Sequence, residues 1–406
     1  MRFILKKKYK TTENLIYLAF VSVFLHFVLG AIVMICLGVY ILLSGHTRKQ
    51  VFVHSGTPML FIFTGYATTV ALVAKNYIGF FCTVGFFLLF VISYYVRSVI
   101  TSDIFQKALD ISCSMCWIVF FTVFIEKLSK SHLPNYRCEG LFKWFFNSNY
   151  MCSLMAMMAI VCLYKTLMTQ KGKPFYILTM AICIVTMYFG GSIFGFVELL
   201  VGIFALLILF KKRKAVISFL IFSLFAVLML YLVPDIFPRI LESNSTTNNR
   251  ILIWDSAIRF IKINPIFGHG FLSYEHLHQL YGSLWENAHH THNFLFEPIL
   301  NCGIIGAALF VMFLWSYFEK VAECKSLLRK NKATNLILAI STAVIIHSTV
   351  DLTIQWIQTG LFFVLLLAGI GVDEKALNRR IEACLAKSER AKKSNENNFR
   401  EENENG

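Results

Sequence analysis

Apolar runs of membrane-crossing length follow one another almost end to end in this chain, at 15–43, 57–74, 77–96, 109–126, 150–168, 175–191, 192–210, 215–233, 293–317, 334–350 and 353–372. A helix needs roughly 17 to 25 such residues to cross the hydrocarbon core of a bilayer. A water-soluble body of this size would need far more charged surface than the 15% charged residues found among 406, against 57% apolar. The runs are continuous and do not alternate, which excludes a membrane barrel. The expected fold class is therefore all-α, a polytopic membrane protein of about 11–12 transmembrane helices with one large external loop. Its expected divisions are an N-terminal transmembrane bundle over 1–233, an external catalytic loop with an interfacial helix over 234–292, C-terminal transmembrane helices over 293–372, and a polar cytoplasmic tail over 373–406, largely disordered.

The formal net charge is +15, which either attracts an anionic partner or reports topology. Its placement favours topology. Lys211, Lys212, Arg213 and Lys214 fill a very short loop, where the excess of cations on the cytoplasmic side is most marked. With that loop inside, 318–333, Lys171 with Lys173, and Arg48 with Lys49 also fall inside, while 127–149 and 234–292 fall outside. The large loop itself carries four basic and five acidic residues. Bulk basicity thus says little about a ligand, and nothing in it points to nucleic acid. Placing Arg2, Lys6, Lys7, Lys8 and Lys10 inside as well requires 15–43 to form a tilted hairpin, broken near Gly30. The basic start leads into an apolar run without a small-residue cleavage pattern, so the first helix is expected to remain. Most of the eleven cysteines fall in apolar runs; Cys113 and Cys116, a CxxC inside a span, are read as packing residues.

The chemistry concentrates in 234–292. SNSTTNN reads as a polar linker, and ILIWDSAIRFIKI as a helix lying in the interface and ending before Pro265. Gly268 and Gly270 mark a turn or close backbone approach. Six of the eleven histidines fall between His269 and His292, a density that suggests proton transfer or metal ligation. No HExxH and no Asp-X-Asp pair frames a metal, so none is expected. His276, His278, His289 and His290 read as polar interfacial residues. His292 differs: it stands at the mouth of a span, followed by Asn293, nine residues, then Gly303 and Gly306.

The pattern His292-Asn293, nine residues, Gly303-X-X-Gly306 resembles the signature of the O-antigen ligase and Wzy-type O-antigen polymerase superfamily. Arg250, Trp254 and NPIFGHGF resemble the family's upstream Arg, Trp, Pro and Gly-X-Gly arrangement, and IHSTVDLTIQ, with His347 and Asp351, a segment after its next span. The likeness covers roughly 230–372. The chain departs from the family at FGGSIFGFVE, where Ile193 follows Ser192 in place of an Arg; a second cation must come from elsewhere, with Arg259, Lys262 and Arg239 as candidates.

The resemblance implies a GT-C-like helical bundle in a bacterial plasma membrane, with the loop on the outer face and the tail in the cytoplasm. It implies a polysaccharide polymerase acting on a polyprenyl-diphosphate-linked oligosaccharide among membrane lipids, alongside chain-length regulator and flippase proteins and with no cofactor. The ligase reaction differs only in acceptor. The residues suit this chemistry by themselves. A sugar diphosphate is already a good leaving group, so a site needs chiefly a base and a cation. An imidazole with its ordinary pKa near 6.5 is mostly neutral at pH 7, which fits His292 as base; the fixed guanidinium fork of Arg250 matches phosphate oxygens. Asn293 either orients that imidazole or caps the next helix. Glu297, an acid inside a span, must pair or line a wet cavity. His347 and Asp351, one helical turn apart, bind the acceptor or tie the helix to the loop. Gly303 and Gly306 allow close helix approach. Trp254, Tyr274, Tyr281 and Trp285 stack on sugars or anchor the interface. A lipid-linked glycan flippase or transporter is the competing class; it would gather its polar features at mid-membrane between comparable halves.

Overall fold

The computed structural model of the chain describes residues 2–133, 135–169, 171–237, 243–282, 284, 288–328 and 332–404. Helices make up the described residues apart from turns and loops, with no strand among them. In order they are α1 (Arg2–Ser22), α2 (Phe27–Leu43), α3 (Gly45–Phe52), α4 (Thr57–Val73), α5 (Tyr77–Val99), α6 (Ser102–Ser129), α7 (Ser148–Met168) and α8 (Lys173–Gly190). There follow α9 (Ile193–Leu209), α10 (Arg213–Leu232), α11 (Ser243–Ile263), α12 (Ser273–Tyr281), α13 (Phe296–Leu327), α14 (Lys332–Ser348), α15 (Ile357–Ala368) and α16 (Ile370–Glu404). Six of these, α5, α6, α7, α8, α10 and α13, are long and apolar enough to cross a membrane by themselves; α4, α9 and α14 are shorter apolar helices, and α2 meets α3 at a 92° bend. The protein is a multi-pass membrane protein.

Polar side chains at helix starts explain many of the boundaries. The Asn76 side chain accepts from the Gly79 N–H ahead of α5, Thr101 from Ile104 ahead of α6, Asn147 from Asn149 at α7 and Ser192 from Gly195 at α9. Each satisfies an amide that the first helical turn leaves without a carbonyl. At the centre lies α7, with every side chain from Met151 to Cys162 buried. By contrast α10 buries none of its residues, as an apolar helix facing hydrocarbon can. Cys113 and Cys116 are buried packing residues, the Cys113 sulfur 3.7 Å from that of Cys162.

Three expectations change. The 15–43 run breaks at 23–26 rather than near Gly30, and α1 reaches back beyond the run to Arg2. The turn is pinned where Trp144 Nε1 donates to the Phe24 carbonyl (3.0 Å) and Gln358 Nε2 to that of Leu25 (2.7 Å). SNSTTNN is helical as the first part of α11, despite the weak helix preference of Ser, Thr and Asn. The tail from Asp373 is not disordered over its length but continues α16 to Glu404. Its EKALNRRIEACLAKSERAKK is rich in straight-chain helix formers, and its root is tied down: Asp373 accepts from the Thr334 N–H (2.8 Å) and hydroxyl (2.7 Å), and Arg97 pairs with Glu374.

Candidate functional site

The site forms where the segment between α12 and α13 meets the segment after α14. His292 takes a left-handed conformation (φ 55°), which a non-glycine residue adopts at a cost of order 1 kcal/mol or more, and which is enriched at functional sites. Its Nδ1 lies 2.8 Å from Oδ1 of Asp351. That bond fixes the proton on Nδ1 and leaves Nε2 with its lone pair as the base position. Asp351 is buried. Burial alone would raise its carboxyl, but the adjoining His292, with His347 and His290 beyond, holds it well below the ordinary carboxylate range. Arg250 of α11 completes the group. Its Nε donates to the Val350 carbonyl (2.6 Å), Nη2 lies 3.9 Å from Asp351 Oδ2, and the guanidinium sits 4.9 Å over the Phe194 ring of α9.

The surrounding residues hold this arrangement. Trp254, one turn along α11 from Arg250, donates to the Thr291 carbonyl (3.1 Å) and packs against Phe296. Asn293 caps α13, its Oδ1 accepting from Leu295 (2.8 Å) while Nδ2 donates to the Thr349 carbonyl (2.8 Å); the capping role of this residue is the one its bonds follow. Both oxygens of buried Glu297 are taken, Oε2 by the Thr291 N–H and hydroxyl and Oε1 by Asn301 Nδ2. It braces the His292 loop from behind and faces no open space.

Gly303 does not sit in a straight helix. With φ 64° and ψ −176° it breaks α13, and the opened backbone bonds to the chain after α11: Ile304 N–H to the Pro265 carbonyl (2.9 Å), and the Asn301 carbonyl to the N–H groups of His269 (3.0 Å) and Gly270 (2.7 Å). A Cβ on Gly303 would stand 2.1 Å from the Ile266 carbonyl oxygen, and one on Gly268 2.4 Å from the Gly303 nitrogen. The close approach expected of Gly303 is thus to a loop rather than to another helix. Gly306 does face one, against Tyr66 of α4.

Other expected site residues fall elsewhere. Arg259 is exposed and paired with Asp255 (3.0 Å); nine residues beyond Arg250, it projects from the opposite side of α11. His347 points into the bundle and bonds Glu198 of α9, with both residues buried. Tyr274 is fully buried and Tyr281 exposed. Arg239 and Trp285 lie outside the described residues.

His290, expected at the interface, lies buried in the site. Its ring is 4.1 Å from that of His292, and Nδ1 accepts the His292 N–H (3.2 Å). Burial above all pushes it down to about 3, so it is neutral. Donor atoms of His290, His292 and Asp351 gather within 4.8 Å of one another, but these residues already bond each other, Asp351 to His292 and His290 to the His292 backbone. Hydrogen bonding accounts for the cluster. Asn149 joins the site without any signal in the sequence: its Nδ2 donates to Asp351 Oδ2 (2.6 Å) across 202 positions of chain, and no local pattern pairs them.

The fold and this group of side chains define a multi-pass membrane protein with an imidazole–carboxylate pair and an arginine gathered at one end of its bundle. Residues 175–311 match the family described as O-antigen ligase. A Rickettsia felis protein described as "Putative polysaccharide ligase" is 27% identical over 100 residues, which are 23% of this chain. The match spans 25% of that relative's length. Both likenesses are to O-antigen or polysaccharide ligases, and both cover a minority of the chain.

Proposed function

We propose that the protein is a membrane glycosyltransferase that moves a glycan from a polyprenyl-diphosphate carrier to a sugar hydroxyl of a lipid-linked acceptor, as a polysaccharide polymerase of the O-antigen or capsular type. The observation that carries this reading is the His292–Asp351 bond with Arg250 beside the same carboxylate. His292 Nε2 takes the acceptor's hydroxyl proton as that oxygen bonds to the anomeric carbon. The bond from that carbon to the diphosphate breaks, and its electron pair leaves on the lipid diphosphate, whose charge Arg250 meets. Asp351 orients the ring and stabilises its charged form without accepting the proton. One displacement inverts the anomeric carbon. The reaction belongs on the outer face of the bacterial plasma membrane, with chain-length regulator and flippase proteins as partners.

Ligation, in which the acceptor is another lipid or molecule, is a second reading, favoured by the descriptions of the family and of the relative, both of which name a ligase. Purified protein given lipid-linked glycan extracted from the native cells tests both. Longer lipid-linked chains and free polyprenyl diphosphate support polymerisation; transfer only when a separate lipid acceptor is added supports ligation. His292→Ala should lower the rate by about 10²–10⁴ with the protein still inserted and abundant, and an undiminished rate would remove the proposed base. Movement of glycan across vesicles without transfer would favour a flippase.

A further inference from the structure

The segment between α6 and α7 reads in the sequence only as a second polar loop, and it lies outside the family match at 175–311. In the structure it is a fixed arch. The buried carboxylate of Glu126, near the end of α6, accepts from the N–H groups of Glu139 (2.9 Å) and Gly140 (2.7 Å) and from the Tyr136 hydroxyl (2.9 Å). The Cys138 N–H donates to the Phe189 carbonyl (3.1 Å). Between these anchors Arg137 runs across Gly191, the left-handed residue (φ 61°) that ends α8. Its Nε donates to the Gly190 carbonyl (3.0 Å) and its Nη2 to Asn149 Oδ1 (2.5 Å). Asn149 in turn donates from Nδ2 to Asp351. The amide is thereby oriented at both ends, since Oδ1 can only accept and Nδ2 only donate.

We propose that Asn149, held by Arg137, is a positioning residue that fixes the direction of the Asp351 carboxylate, so that the arch between α6 and α7 is a working wall of the site. A carboxylate can turn about its last bond. The amide on Oδ2 leaves Oδ1 one orientation, toward His292 Nδ1. Ionisable groups also face this pair: Arg250 from α11, His290 from the same loop, Tyr150 from α7 through His290, Glu297 from α13 through Thr291, and His347 with Glu198 from α14 and α9. It is through Asn149 that Asp351 is tied to the arch.

The inference rests on His292 as base, and its test separates the two. The full-length protein in nanodiscs is given lipid-linked glycan extracted from the native cells. Asn149→Ala should lower kcat about tenfold with KM within twofold. Arg137→Gln should do the same, and the double variant should be no slower than Asn149→Ala. Asp351→Asn should cost much less in the Asn149→Ala background than in the wild type. Independently of any substrate, diethyl pyrocarbonate modification of His292 against pH, read by mass spectrometry, should show a lower midpoint in Asn149→Ala, because the carboxylate that holds the ring proton has lost its direction. Additive losses, or a midpoint that stays or rises, overturn the positioning role even if His292→Ala is inactive. An active His292→Ala removes the base assignment, and the modification midpoint still decides the role of Asn149. If Asn149→Ala does not accumulate, Arg137→Gln carries the same midpoint test: a lower midpoint supports the positioning role, and one that stays or rises overturns it.

Discussion

Asp351 is buried with Oδ1 on His292 and Oδ2 on Asn149, and buried His290 packs against the same His292 ring. The His290 imidazole titrates near 3 in place of 6.5, chiefly because it is buried. Below about pH 6.5 the unfolded chain gains a proton that the folded site refuses, so this share of stability is whole above that pH and falls as pH drops toward 3. The thermal midpoint of the protein in nanodiscs should decline over pH 6.5 to 4.5, and His290→Gln, which keeps a polar amide but does not titrate, should decline less steeply. Equal slopes would mean that His290 is not held neutral by the fold. The sequence carries His292, Arg250 and Asp351, because each sits in a short segment of fixed spacing. It does not carry His290, since a histidine buried in a polar loop has the same local surroundings as one exposed at an interface. Arg137 and Asn149 are illegible for a different reason: their partners are brought near only by packing of α7 against α8 and α14.

Elements are more legible than their joints. Long apolar runs mark the helices of the bundle, and Pro265 marks the end of α11, because burial in hydrocarbon demands uninterrupted stretches. The break in α13 is hidden, since two glycines three apart look the same in a packed helix and in an opened one. The break has a use: it lets the chain after α11 bond directly to α13, which fixes α11 and with it Arg250 and Trp254. Gly303→Ala should therefore cost several times the roughly 1 kcal/mol of a residue forced into left-handed geometry, because its Cβ also meets a backbone oxygen at 2.1 Å. The variant should accumulate poorly or lose activity. Gly65→Ala in α4 and Gly85→Ala in α5 meet nothing within 4 Å and should be neutral, or stabilising by about 0.5–1 kcal/mol. Loss of accumulation in all three would show that glycine content in the spans, and not this crossing, is what matters.

The two ends of the whole molecule can be told apart by contact. At one end lie the turn at 23–26, the arch, the ends of α8 and α14, and the His292 loop, joined by Trp144 to Phe24, Arg137 to Gly190 and Asn293 to Thr349. At the other lie the segments after α3 and α5 and the roots of α14 and α16, joined by His54 to Tyr94, Arg97 to Glu374 and Thr334 to Asp373. Because α1 runs into the first end, its basic start points toward the second. A crossing by α1 would make the number of crossings even and put both chain ends on the cation-rich side. Exposed Cys384 on α16 offers a direct measurement. In intact spheroplasts a membrane-impermeant maleimide should leave Cys384 unmodified and an N-terminal tag should resist protease, while His289→Cys, exposed in the loop, should be labelled. Permeabilisation should then expose Cys384 and the tag together. A tag digested in intact spheroplasts with Cys384 still protected would restore an odd count and require α1 to leave the bundle, in spite of its packing against α6 and α15.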